Sequence, residues 1–310
     1  MSTDTPTTRA AYRDHLVGMM AADPRLVCLD TDSGLFSGVD FGPASDRYLN
    51  LGIAEHNLMG VAAGLAATGW VPFVNTMATF AATRALEAVK IDIAYNNLPV
   101  RIVATHGGVA SGHLGPTHQS LEDLAVMRTL PNMTVVVPGG PGSTTALLDQ
   151  LAGVPGPVYL RLGRKATPEL PADVPAPELG RLQRLRAGTA VVLVATGPLP
   201  VLRALDAADL LAADGLAAGV LHVHTVKPLD AAGLLAQTRD ARLVVTIEEH
   251  WRTGGLGSAV AEALSDHGPR RVLRLGLPDE FVATVGTQEE LLDAAGVTAA
   301  GIAAAGRGHR

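Results

Sequence analysis

The chain has 310 residues, of which 47% are hydrophobic, 17% charged and only 4% aromatic. That composition excludes a disordered chain, suffices for two ordinary domains and makes the core mostly aliphatic. A formal net charge of −6 argues against a nucleic-acid platform, which needs a basic face.

Short apolar runs alternate with helical segments in chain order. Leu26–Asp30, Val71–Asn75, Val100–Thr105, Thr134–Val137 and Val158–Leu162 predict strands, and 54–68, 77–95, 121–129 and 142–152 predict helices. Strands separated by helices mean crossover connections and a parallel sheet. From 166 to 186, Pro168, Pro171, Pro175 and Pro177 crowd a stretch without period, the signature of a linker. A second unit follows, with strands at Thr189–Ala195, Ala218–Val223, Arg242–Ile247 and Arg271–Leu275 and helices near 199–213 and 256–266. Beyond Gly296 the chain is rich in Ala and Gly, and weak order is expected there. The expected fold is α/β, with two doubly wound domains at 1–165 and 187–310, the second smaller.

The single cysteine, Cys28, excludes an intramolecular disulfide framework and any multi-cysteine metal site. Within the apolar run Leu26–Leu29 it is expected to be buried. No apolar stretch reaches the roughly 20 residues of a membrane span. The segment MSTDTPTTRAAYRDHL lacks the layout of a leader peptide. A cytoplasmic protein with no membrane or nucleic-acid partner is expected.

Two features stand out as chemistry. The stretch Thr105 to Gln119 directly follows a predicted strand and holds three histidines and four glycines. In open parallel sheets ligands bind at that edge, and glycine lets a backbone approach them closely. Such a loop serves either a ligand or its own local hydrogen bonds. No nearby carboxylate or cysteine completes a metal set. The second feature is Gly52-Ile53-Ala54-Glu55-His56 at the start of an apolar helix. Glu55 there either interacts with the helix dipole or makes a charge-assisted bond to a ligand.

The Glu-His after Gly-Ile, the Pro72-Phe73 strand with Phe80 seven residues later, and Gly115-Pro116-Thr117-His118 occur in one order and spacing. That arrangement resembles the pyrimidine-binding domain of transketolases. Val226-Lys227-Pro228-Leu229-Asp230, Glu248-Glu249-His250 and Gly254-Gly255-Leu256-Gly257-Ser258 are similar to the transketolase C-terminal domain. Nearly the whole chain, from about Arg9 into the 270s, resembles the C-terminal half of transketolase, which in some organisms is a separate subunit. The glycine run is expected to be a close-packed strand-to-helix turn rather than a nucleotide loop. His222 and His224, on one strand face, are expected to be structural histidines rather than a metal pair.

The resemblance implies thiamine diphosphate as cofactor. Glu55 matches the glutamate that shares a proton with the aminopyrimidine ring, a task that requires a carboxylate in a dry pocket. Phe80 matches the aromatic that packs on that ring. Met77 and Thr83 stand where transketolases often carry further aromatics. Ile53 matches an apolar wall, and Asp32 an acidic residue near the cofactor. His106 and His118 match active-site histidines suited to proton transfer near neutral pH. Arg164 matches an arginine that grips a sugar phosphate, with Arg9 and Ser37 as further contacts, and Arg161 is either another or an interface residue. Transketolases carry Asp where Leu114 stands here, and that Asp contacts a substrate hydroxyl. An apolar side chain cannot pair with that hydroxyl, which implies a donor or acceptor unlike the common pentose phosphates. His113 is the candidate replacement.

The chain contains no Gly-Asp-Gly, the metal-binding motif of thiamine enzymes. The resemblance therefore implies an N-terminal partner subunit that carries the motif and holds the diphosphate with Mg2+ or Ca2+. The expected assembly is a two-fold symmetric α2β2 heterotetramer that transfers a two-carbon ketol unit from a ketose or ketose phosphate to an aldehyde. The alternatives are the β subunit of a 2-oxoacid dehydrogenase and a non-catalytic stabilising partner. The second domain is expected to serve dimerisation rather than chemistry.

Overall fold

The computed structural model describes residues 6–268 and 270–308. The leader expectation for residues 1–5 and the last residues of the second domain, 309–310, fall outside them. The strands are β1 Leu26–Asp30, β2 Tyr48–Asn50, β3 Val71–Met77, β4 Arg101–Thr105, β5 Thr134–Val136, β6 Val158–Arg161, β7 Gln183–Arg186, β8 Val191–Ala195, β9 Ala218–His222, β10 Thr225–Lys227, β11 Leu243–Trp251 and β12 Val272–Leu277. The helices are α1 Thr8–Ala22, α2 Glu55–Ala67, α3 Ala78–Ala82, α4 Leu86–Ala88, α5 Asp123–Thr129, α6 Pro141–Leu151, α7 Pro198–Ala213, α8 Ala231–Thr238, α9 Leu256–Ser265, α10 Gln288–Ala294 and α11 Ala299–Arg307.

The first sheet runs β10-β5-β6-β4-β3-β1-β2 and is parallel except for β10, which pairs antiparallel with β5. Its central strands are apolar on both faces because both are covered. On one face Tyr12, Leu16 and Met20 of α1 and Leu147, Leu148 and Leu151 of α6 pack on Cys28, Phe73, Val103 and Leu160. On the other, Leu58, Met59 and Ala62 of α2 pack on Leu29, Val74 and Ile102. Cys28 is fully buried, as its apolar run implies. The second sheet runs β12-β11-β8-β9-β7 and is parallel except at its β7 edge.

The strands expected from apolar runs are all present, with small shifts at their ends. Other elements were not expected, although Thr7 and the Thr287–Glu290 capping box are local start signals for α1 and α10. The unexpected elements are α1, β2, α8 and α10, together with β7, which lies inside the expected linker, and β10, which leaves the second half of the chain to extend the first sheet. The single helix expected over 77–95 is broken. Thr83 turns its hydroxyl onto the Thr79 carbonyl at 2.6 Å, a local bond that competes with the helix ladder. The segment then continues as a short α turn and a π turn over Val89–Ala94.

Weak order beyond Gly296 is not what the structure has. α11 is capped by the Thr298 hydroxyl and buries Ile302, Ala303 and Gly306 against α7. Small residues permit that approach: a Cβ at Gly306 would stand 2.8 Å from Leu211 Cδ1. The Ala and Gly content that suggested disorder is the contact face of a packed helix.

Candidate functional site

Parallel strands end at one edge, so the segments that follow them meet there. Asp32 follows β1, Met77 ends β3 and leads into Phe80 on α3, and the histidine loop follows β4. Arg164 follows β6, and Glu55 opens α2 beyond β2. From β1 the chain steps outward to β2 and then crosses back to β3 on the other side. The switch point between β1 and β3 is where open α/β sheets leave a crevice.

A cavity of about 410 Å³ occupies that place, lined by Thr31, Asp32, Ser33, Ile53, Glu55, Thr76, Met77, Phe80, Arg84, Thr117 and His118. Glu55 is only 2% exposed. The His118 ring meets the edge of Phe80 at a centroid distance of 5.5 Å and an interplanar angle of 74°. Asp32 and Ile53 stand exposed at the rim, with Ile53 an apolar wall open to solvent. Thr83 does not join them. It lines a neighbouring cleft with Thr79, Gln119, Trp251 and Phe281.

Arg84 is the residue that the sequence reading missed. Its Nη1 lies 2.8 Å from Glu55 Oε2, and its guanidinium lies 4.3 Å from the Phe80 ring centroid. It thus covers both groups on which an aromatic ligand would dock. Phe80 and Arg84 are four residues apart, the spacing at which side chains meet on one helical face. That spacing, within the helix expected over 77–95, was the available signal.

A second cluster adjoins the cavity. Arg164 Nη1 lies 2.8 Å from His113 Nε2, and Gly163 N–H donates to Thr8 Oγ1 at 3.1 Å, docking the first turn of α1 beside Arg164. Arg9 sits on that turn. Burial and then the nearby Arg164 and Arg13 lower its pKa. Burial, with the positive field of Arg9, Arg164, His113 and His118, pushes His106 down to about 3. His106 is therefore a neutral imidazole at neutral pH. In that form it offers a hydrogen-bonding group. The surroundings are cationic and suit an anionic group of a ligand. Ser37 lies exposed in the turn Gly34–Gly38 and makes no hydrogen bond to this cluster. Leu114 is 43% exposed at the end of the short turn Gly112–Leu114.

Arg161 is structural. It is 5% exposed, and its Nε lies 2.9 Å from Asp123 Oδ2. Its Nη2 donates to the Ser120 and Glu249 carbonyls at 3.1 and 2.8 Å. It belongs to the contact between the two sheets' loops. The glycine run at Gly254 is a close-packed turn: Glu248 accepts from Leu256 N–H and Gly257 N–H at 2.6 and 2.8 Å. His222 and His224 are fully buried. Burial pushes them down to about 3 and about 4, and each Nδ1 is held locally, by Gln183 and by Thr225.

The comparisons agree with one another. The family model for the pyrimidine-binding domain of transketolase matches residues 4–169, and that for the transketolase C-terminal domain matches residues 180–302. The chain is 38% identical to the 6-deoxy-6-sulfo-D-fructose transketolase subunit SqwH of Clostridium sp. (strain MSTE9), over 94% of this chain and 90% of that one. It is also 38% identical to an apulose-4-phosphate transketolase subunit of Phocaeicola vulgatus, over 91% of both chains. A solved structure described as a split gene transketolase, inactive beta4 tetramer, superposes with a TM-score of 0.89 at 43% identity and covers 97% of each chain.

Proposed function

The chain belongs to the transketolase family, and on that premise we propose that it is the C-terminal subunit of a split transketolase whose active site is completed by a partner. The observation that carries this reading is Glu55, 2% exposed in a cavity shared with Phe80 and His118 at the β1/β3 switch point. Relatives that match over nine-tenths of their length carry the name of transketolase subunits, which favours this reading over a 2-oxoacid dehydrogenase subunit.

The cavity fits the aminopyrimidine end of thiamine diphosphate. Its volume of about 410 Å³ lies within the range of small-molecule pockets. Phe80, Met77 and Ile53 offer flat or apolar walls, and the Glu55 carboxylate would hold the ring by a hydrogen bond. A ring seated there displaces Arg84 into the solvent that its side chain, 48% exposed, already reaches. When bound, thiamine diphosphate supplies the nucleophilic carbon that carries the two-carbon unit between substrates. Glu55 holds the proton shared with the ring. His118 stands at the cavity wall, and neutral His106 orients substrate hydroxyls by hydrogen bonding. Asp32 borders the entrance.

The chain has no Gly-Asp-Gly, so the divalent metal and the diphosphate fall to the N-terminal partner in an α2β2 assembly. Arg164 and Arg9 form the cationic grip for a terminal anion of the donor, with His113 hydrogen-bonded to Arg164 beside them. The relatives above are named for ketoses that carry a sulfo or phosphate group, and the donor for this chain is proposed to be a ketose of that kind. Leu114 removes the carboxylate that would read a secondary hydroxyl, so the stereochemistry at that carbon is left open. Among the described residues no helix is long and apolar enough to cross a membrane. A lone, buried, unpaired cysteine suits a reducing compartment, and a cytoplasmic site is proposed.

The test is a two-carbon transfer assay with anionic ketose donors. Activity is expected when the N-terminal subunit, thiamine diphosphate and Mg2+ are all present. None is expected from either chain alone. Transfer by this chain without the partner would overturn the shared site. Loss of all transfer in the assembled pair, with 2-oxoacid decarboxylation in its place, would overturn the reaction class.

A further inference from the structure

We propose that Glu249, on β11 of the second domain, is a positioning residue that holds the His106 turn of the first domain in its working shape. The proposal rests on the reading of His106 as a group that touches substrate. His106 has φ +62, a left-handed conformation that side chains other than glycine rarely adopt. Such a residue persists only where its surroundings over-determine it. The next two residues show what those surroundings are. A Cβ on Gly107 would stand 2.4 Å from Arg161 Nε, and one on Gly108 would stand 2.4 Å from Glu249 Oε1. The turn is therefore pressed between a guanidinium and a carboxylate with no room for side chains.

Each backbone donor that leaves the strained residue is taken up. Gly107 N–H donates to the Leu162 carbonyl at 3.1 Å, and Gly108 N–H to the Ser120 carbonyl at 2.9 Å. Val109 N–H has no backbone acceptor and donates instead to Glu249 Oε1 at 2.7 Å. The other carboxylate oxygen, Oε2, accepts from Gln288 Nε2 at 2.8 Å. Arg161, which fixes the opposite side of Gly107, donates to the Glu249 carbonyl. Gln288 opens α10 and Glu249 lies on β11, so two elements of the second domain converge on one amide of the histidine loop. Glu249 is 5% exposed, so no water competes freely for that amide. The second domain, expected from sequence to serve dimerisation, thus bonds directly to the histidine loop.

Three variants separate the acceptor from the fold. Glu249→Gln keeps an oxygen for Val109 N–H, Glu249→Ala removes it, and Gln288→Ala removes only the support behind it. Amide exchange is read over residues 107–112 in this chain alone. kcat and KM are read in the assembled enzyme. Misplacing a reacting group by about 1 Å costs roughly a hundredfold. Glu249→Ala is therefore expected to accelerate loop exchange about tenfold or more and to lower kcat by roughly ten- to a hundredfold, with donor KM changed less than about threefold. Glu249→Gln is expected to stay within about threefold of the parent in both readouts.

Unchanged exchange over 107–112 in Glu249→Ala overturns the proposal. So does a loss of kcat that Glu249→Gln shares in full. Faster exchange with unchanged kcat overturns the catalytic place given to His106, and the positioning role with it, while cofactor binding and partner dependence remain as described. If Glu249→Ala does not fold, Gln288→Ala carries the test. Faster exchange and a lower kcat support the proposal, and parental values in both overturn it.

Discussion

Glu55→Gln is expected to lower turnover of the assembled enzyme by about a thousandfold, within the range that positioned acid–base groups contribute. The amide keeps the shape of the side chain and one hydrogen-bonding oxygen, but it cannot hold or return a proton. Glu55 is buried, and its only described ionic partner is Arg84, 2.8 Å away and 48% exposed. Removing the charge leaves Arg84 free to hydrate, so folding and assembly are expected to be unaffected. The measurement is steady-state transfer by the reconstituted pair, with size-exclusion chromatography on the same samples. Turnover equal to the parent's would remove Glu55 from the chemistry. Loss of assembly in step with turnover would make its role structural.

Arg161→Met is expected to destabilise the chain by about 3–5 kcal/mol, the cost of leaving one member of a buried ion pair uncompensated. Asp123 is 0% exposed and accepts from Tyr159 Oη at 2.7 Å. Burial and then the adjacent Asp123 push the Tyr159 phenol up, so it remains a proton donor to that carboxylate. Without Arg161 the Asp123 charge has no cation beside it. The Ser120 and Glu249 carbonyls also lose their donor. The measurement is the denaturant midpoint at unchanged slope. The control is Arg161→Met combined with Asp123→Leu, which removes the orphaned charge and is expected to recover part of the loss. A shift below about 1 kcal/mol for Arg161→Met alone would show that the pair is solvated rather than buried.

The parts of the fold legible in the sequence were those whose pattern is local. The five apolar runs of the first sheet are buried on both faces, so their composition alone announces them. Apart from α1 and α10, which carry local caps at Thr7 and Thr287, the parts missed depend on distant partners. β10 is a three-residue strand that exists because β5 offers it an edge. α11 is a run of Ala and Gly that orders because α7 accepts its small face. In the site, Glu55, Phe80 and His118, which only the resemblance to transketolases linked in the sequence, line one cavity on a parallel sheet. Arg84 was not legible, because an exposed arginine on a broken helix looks like any solvated cation until its fold neighbours are known. Thr83 carried the same helical register as Phe80 yet faces another cleft, because the backbone leaves helical geometry at Thr83, with φ −120 and ψ −72. At His106, burial and then the neighbouring Arg9 and Arg164 push the pKa down, which residue type alone does not reveal.

The central claim is that one active site is shared between this chain, which holds the ring-binding cavity, and a partner that holds the diphosphate and metal. Calorimetric titration of thiamine diphosphate with Mg2+ into this chain, into the N-terminal subunit and into their mixture tests it most directly. The account predicts saturable binding in the mixture, one cofactor per pair of chains, with an affinity at least about a hundredfold above that of either chain alone, since each half supplies contacts that the other lacks. Binding by this chain alone as tight as by the mixture would contradict it.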